Sequence, residues 1–95
     1  MVNEYDPIYL ELLNRIIEIG KDLYGELAVK VASRIKEIEM SGDGKIVKIL
    51  GLPENAVRNL LCEYEVLGGN LSKHLNEAVL EAYRKRYPDI NLPRG

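Results

Sequence analysis

The residues that could carry chemistry in this chain are few. Its 95 residues include one histidine, His74, and one cysteine, Cys62. His74 has no second metal ligand at a recognised spacing. The acidic neighbours Glu63 and Glu65 oppose formation of a Cys62 thiolate, which is the reactive form of a cysteine. We therefore predict no enzyme, with no catalytic residue, no metal site and no cofactor, and we expect His74 and Cys62 to be structural or surface residues.

A glycine-rich segment, Gly42-Asp43-Gly44-Lys45, has residue types found in phosphate-binding loops. The spacing to an earlier glycine is wrong for such a loop, and Ile46 stands where a serine or threonine would bind magnesium. A calcium loop needs several oxygen ligands, and Asp43 alone cannot supply them. We predict that this segment is only a connection between helices.

A pattern typical of a DNA-binding helix-turn-helix spans residues 43–62. With Gly51 as the turn glycine, apolar residues fill the positions that this motif keeps apolar, namely Ile46, Leu50, Leu52, Val57 and Leu60. The second helix would then present polar residues to base edges, with lysines near phosphate. The candidate DNA contacts are Lys45, Lys48, Asn55, Arg58 and Asn59. A DNA-binding transcriptional regulator is therefore the alternative to our main prediction, although Val47 stands where the motif prefers a small residue.

The spacing of apolar residues predicts an all-α fold, a bundle of four to five helices in a single domain over residues 1–95. The predicted units are a helical hairpin over 7–40, a loop and short helix over 41–52, a second hairpin over 53–87 and a tail over 88–95. Pro53 suits the start of a helix, and Gly68 and Gly69 suit a break. Residues 45–50 fit a strand or a short helix equally well, and we predict helix because no partner strand is evident.

The two halves of the chain match each other at an offset of 44 residues, which aligns Gly25 with Gly69. The aligned apolar positions give each half a helix, a glycine-containing turn and a second helix. Duplication of one helical hairpin is one interpretation of the match. Chance alignment of two amphipathic helix pairs is the other.

The segments Pro-Glu-x-x-Val-x-x-Leu-Leu, from Pro53, and Leu-Gly-Gly, from Leu67, follow a helix pair flanked by glycines. Over about residues 12–87 this layout resembles the small all-helical output domains attached to archaeal sensory proteins. The resemblance implies a signalling or protein-contact role, and it identifies no catalytic residue.

Several apolar residues fall outside the main apolar stripes. Val66 and Leu80 lie away from the buried faces expected for their helices, and the apolar arc of the first helix is unusually wide. The candidate interface residues are Leu10, Ile17, Val66, Leu80, Ile90 and Leu92. Because several such residues together suggest a covered patch, we predict a self-associating interaction module, a homodimer or a partner of another protein, with a signalling or regulatory role.

Composition and charge limit the function class, the cellular location and the source that we predict. The net charge is −2, and no basic block is present, so nucleic-acid binding is the less favoured class. We expect no membrane segment, because no run of 18 apolar residues is present. We expect no signal peptide, because the N-terminal residues are acidic and no basic segment leads into an apolar one. Together with a single cysteine, this predicts a cytoplasmic protein. Abundant Glu and Lys with no Gln or Thr favour a thermophilic, archaeal source.

Overall fold

The computed structural model describes residues 6–93. In this range the chain forms α1 (Asp6–Tyr24), α2 (Glu26–Ala32), β1 (Ile38–Met40), β2 (Ile46–Ile49) and α3 (Pro53–Arg86). Residues 1–5 and 94–95, the latter in the predicted tail, lie outside the described residues. The prediction of an all-α bundle of four to five helices is wrong, because a two-stranded antiparallel sheet stands between the second and third helices.

The error lies in residues 33–50. The second predicted helix extends to residue 40, but α2 ends at Ala32 after only 7 residues. The first half is therefore not a hairpin of two equal helices, which removes the prediction of two duplicated hairpins. Residues 46–49, predicted as a short helix for want of a partner strand, pair with residues that the sequence pattern had placed in a helix.

The β-hairpin buries one face of its strands. Ile38 lies opposite Ile49, and Met40 lies opposite Ile46 across an irregularity in the register. Gly44 has a φ of 84°, a conformation that glycine adopts without strain, and it lets the connection reverse direction. In the same turn, the Ser41 hydroxyl donates to the Asp43 carboxylate and lowers the pKa of that carboxyl.

Asn14 of α1 fastens this hairpin to the core. Its side-chain Oδ1 accepts a hydrogen bond from the Ile46 amide at 2.8 Å, and its Nδ2 donates to the Ile46 carbonyl at 3.1 Å. One side chain therefore satisfies both backbone groups of Ile46, as a neighbouring strand would. The hairpin is held in place by hydrogen bonds as well as by its buried isoleucines.

Helix α1 is the centre of the fold. It contacts α2, α3 and β2, and its buried residues are Tyr9, Leu12, Leu13, Ile16, Ile17 and Gly20. The wide apolar arc seen in the sequence is explained by these neighbours on several sides. Ile17 is 1% exposed, so these neighbours cover it and a partner cannot contact it.

Helix α1 and the part of α3 before Gly69 pack side by side in the same direction. A Cβ added at Gly20 would lie 2.9 Å from the Tyr64 ring, and one turn later a Cβ added at Gly68 would lie on the Tyr24 hydroxyl. Both contacts pair a glycine with a tyrosine, so each glycine makes room for an aromatic ring. The two tyrosine rings are 6.2 Å apart between centroids, and the Tyr64 hydroxyl donates to the Ala28 carbonyl at 3.0 Å.

Helix α3 is bent sharply at Gly69, which has φ 55° and ψ −135°. A straight helix of 34 residues would be about 51 Å long, whereas the longest dimension of the molecule is 33 Å. We call residues 53–68 the first arm and residues 70–86 the second arm. The predicted break at Gly68 and Gly69 is confirmed, and Gly25, its match in the first half, has similar angles of φ 62° and ψ −140°.

The segment after α3 returns to the start of α1. The Tyr9 hydroxyl donates to the Asn91 carbonyl at 2.7 Å, and the Arg84 guanidinium donates to the Pro93 carbonyl at 2.8 Å. Ile90 is buried in the same core as α1. The described part of the predicted tail is therefore ordered by contact with the rest of the chain. Within residues 6–93, no helix has the length and apolar character needed to cross a bilayer.

Candidate functional site

The candidate interface residues divide into three groups in the structure. Ile17, Leu80 and Ile90 are buried in the core of the chain itself. Leu10 and Leu92 are partly buried and pack against that core. Only Val66, on the first arm of α3, is largely exposed to solvent, at 84%. The buried members therefore correct the predicted interface, because a partner cannot reach them in the folded chain.

The candidate DNA contacts do not form a helix-turn-helix. Residues 46–49 are a strand, so the first helix of that motif is absent from this part of the chain. Lys45 and Lys48 are exposed on the hairpin. The other three lie on the first arm of α3, where the Asn59 amide donates to the Glu37 carboxylate and Asn55 is partly buried. Arg58 is exposed and lines a groove between the arms of α3.

This groove is a surface feature that sequence reasoning missed. The bend at Gly69 folds the second arm back beside the first, and the space between them has a volume of about 220 Å³. Its lining residues are Arg58, Leu61, Cys62, Glu65, Lys73, Asn76, Glu77, Leu80 and Pro93. Glu65 and Lys73 each lie four residues from Gly69, and Arg58 and Leu80 each lie eleven residues from it. The arms therefore face each other residue by residue, as in a helical hairpin.

The chemistry of the groove is apolar at its floor and charged at its rim. Leu61, Leu80 and Pro93 supply apolar surface. Asn76 is 4% exposed, and its amide donates to the Ser72 hydroxyl at 3.4 Å. The rim carries two cationic and two anionic side chains, namely Arg58, Lys73, Glu65 and Glu77. A molecule bound in the groove would contact apolar side chains at the floor and side chains of both charges at the rim.

Cys62 and His74 are both exposed on α3. Cys62 lines the groove on the first arm, and its thiol is free. Among residues 6–93, no group of three or more His, Cys, Asp and Glu side chains is arranged to hold a metal ion. Neither Cys62 nor His74 belongs to such a group among the described residues.

Other large apolar residues are exposed where the sequence pattern placed them in buried stripes or in the helix-turn-helix. They are Leu23, Leu27, Val47, Leu50, Leu52 and Leu71. Leu23, Leu27 and Leu71 lie beside Gly25 and Gly69, where the helices turn and no neighbour covers the ends of the stripes. The glycines were visible in the sequence, and they are the signal that could have marked these leucines as exposed.

No protein-family model, curated protein or solved structure matches this chain.

Proposed function

We propose that this chain is a non-enzymatic interaction module that self-associates as a dimer and acts in signalling or regulation in the cytoplasm. The observation that carries the proposal is the set of seven large apolar side chains that are 40–84% exposed, from Leu23 at the lower limit to Val66 at the upper. These residues lie outside a core that is already closed. Their contribution to the fold of one copy is therefore small.

The seven exposed apolar side chains favour association as a set, and no single one of them does so alone. Isolated exposed apolar residues are common on soluble proteins and require no explanation. Here Val47, Leu50 and Leu52 fall within six residues of each other, and Leu23, Leu27 and Leu71 flank the glycine turns. Full burial of one such side chain contributes roughly 1.5–3 kcal/mol. Covering several of them on each copy would offset part of the loss of translational and rotational freedom that association costs.

The signalling role is proposed from the resemblance of the segments that begin at Pro53 and Leu67 to output domains of archaeal sensory proteins, which implies protein contacts as the means of action. The non-enzymatic part is supported by the scarcity of nucleophiles and bases, with one cysteine and one histidine in the chain. DNA binding is not part of the proposal, because residues 46–49 form strand β2, where a helix-turn-helix would need its first helix. A net charge of −2 also sets no attractive field for phosphate.

Sedimentation velocity across a wide range of protein concentrations tests this proposal. We expect the mass to rise with concentration from the monomer value of 10.8 kDa to twice that value. Addition of mixed-sequence duplex DNA at low salt should leave the sedimentation of the DNA unchanged. A mass that stays at 10.8 kDa throughout would refute self-association.

A further inference from the structure

We propose that the groove between the arms of α3 receives the first arm of a second copy of this chain, and that Arg58 of each copy pairs with Glu65 of the other. This inference rests on the proposed self-association and names its surface. The two copies would join through identical faces related by a two-fold axis, with their first arms antiparallel. The product would be an antiparallel four-helix arrangement made from two bent α3 helices.

The charge pattern of the first arm is complementary to itself. Arg58 and Glu65 are seven residues apart, which on a helix is about 10.5 Å along the axis and within about 20° of the same face. This separation is too long for an ion pair within one arm. Among residues 6–93 the ion pairs within 4.0 Å are Arg15 with Glu18 and Arg84 with Glu81, so neither Arg58 nor Glu65 is in one of them.

The midpoint between Arg58 and Glu65 lies between Leu61 and Cys62. A two-fold axis that passes through this midpoint at right angles to the arm reverses the direction of the second copy. It places Glu65 of the second copy opposite Arg58 of the first, and the same pairing occurs a second time by symmetry. The same axis brings Leu61 of each copy against Cys62 of the other.

The position of Val66 fits this arrangement. Leu80 lies across the groove from Arg58 within one chain, because both are eleven residues from Gly69. When Glu65 of the second copy faces Arg58, the next residue, Val66, lies at the edge of the groove beside Arg58. Val66 is the most exposed large apolar side chain among the described residues, at 84%. Docking therefore covers part of this valine at the edge of the groove, whereas Leu80 is already buried within its own chain.

The rim charges select the occupant. Two cations and two anions cancel, so the groove has no excess of positive charge with which to bind a nucleic acid. A helix with a cationic and an anionic side chain about two turns apart matches the charges of the rim. The first arm of this same chain has that spacing in Arg58 and Glu65.

Charge reversal tests the pairing by analytical ultracentrifugation. In Arg58→Glu two glutamates face each other at each contact, and in Glu65→Arg two arginines do. We expect each variant alone to raise the dimer dissociation constant about tenfold or more, because two ion pairs become two repulsions. An equimolar mixture of the two variants should form a heterodimer with affinity near that of the wild type, because both contacts again join opposite charges. The double variant should likewise dimerise.

Ala82→Glu is the matched control, since Ala82 is an exposed apolar residue of α3 that neither lines the groove nor belongs to the set of large exposed apolar residues. We expect it to dimerise as the wild type does, whereas Val66→Glu should be a folded monomer by circular dichroism and sedimentation. If the single reversals stay dimeric, or if mixing does not restore association, the groove pairing is refuted. A wild type that dimerises while Val66→Glu also dimerises leaves self-association standing and overturns only this surface. A monomeric wild type overturns both.

Discussion

The same chemical change at two neighbouring tyrosines is expected to change the free energy of unfolding in opposite directions. The Tyr64 hydroxyl donates to the Ala28 carbonyl at 3.0 Å. The Tyr24 hydroxyl is buried, and within the described residues it has no hydrogen-bond partner. The centroids of the two rings are 6.2 Å apart, so both hydroxyls lie in one region of the fold. Replacement of each tyrosine by phenylalanine removes the hydroxyl and keeps the ring.

The magnitudes follow from the cost of burying a polar group. Tyr64→Phe loses a hydrogen bond worth about 0.5–1.5 kcal/mol and leaves the carbonyl of Ala28 with one acceptor contact fewer, so we expect a loss of about 1–2 kcal/mol. Tyr24→Phe removes a hydroxyl that is desolvated without compensation, and we expect a gain of about 1 kcal/mol. For a domain of this length the total stability is about 5–14 kcal/mol, so either change is measurable.

Urea unfolding followed by circular dichroism at one fixed protein concentration measures both effects, because association contributes to apparent stability. The slope of free energy against urea should be the same in all variants, which shows that the changes act on stability alone. A Tyr24→Phe protein that is destabilised by 1 kcal/mol or more, to about the same extent as Tyr64→Phe, would refute the reasoning. That result would mean that the Tyr24 hydroxyl makes a stabilising contact.

Three further changes test other parts of the fold. Asn14→Ala should cost about 2–4 kcal/mol in urea unfolding, because both backbone groups of Ile46 lose their partner, and hydrogen exchange at the Ile46 amide should accelerate. Gly68→Ala should destabilise the chain by at least about 1 kcal/mol in the same assay, since the new methyl group would overlap the Tyr24 hydroxyl. Burial raises the pKa of Tyr83 from 10.0 to about 12, so the folded chain holds this proton more tightly than the unfolded chain. The resulting stability is present below about pH 10 and is lost as the pH rises toward about 12, and Tyr83→Phe should reduce this loss in unfolding measured across that range.

The sequence was sufficient where local signals set the structure. Pro53 falls in the first turn of α3, and Gly69 marks the bend. The β-hairpin could not be found in this way, because the pairing of Ile38 with Ile49 is made between segments that each fit a helical spacing. A strand needs a partner to be recognised, and here both partners had been placed in helices.

The candidate site was only partly predictable for a related reason. Val66 was recognised because it lies off the apolar stripe of its helix, and it is exposed. Leu80 was misplaced because the buried stripe of its arm also contains the polar residues Ser72 and Asn76, so an apolar pattern does not mark that face as buried. Ile90 was misplaced because its burial depends on the return of the chain to α1, which no local pattern indicates.

The central claim is that this chain associates with itself, and the molecular mass of the wild-type protein in solution tests it most directly. Sedimentation equilibrium over a broad concentration range should fit a reversible monomer–dimer model, with the mass approaching twice 10.8 kDa at high concentration. A single species of 10.8 kDa at every concentration would contradict the account.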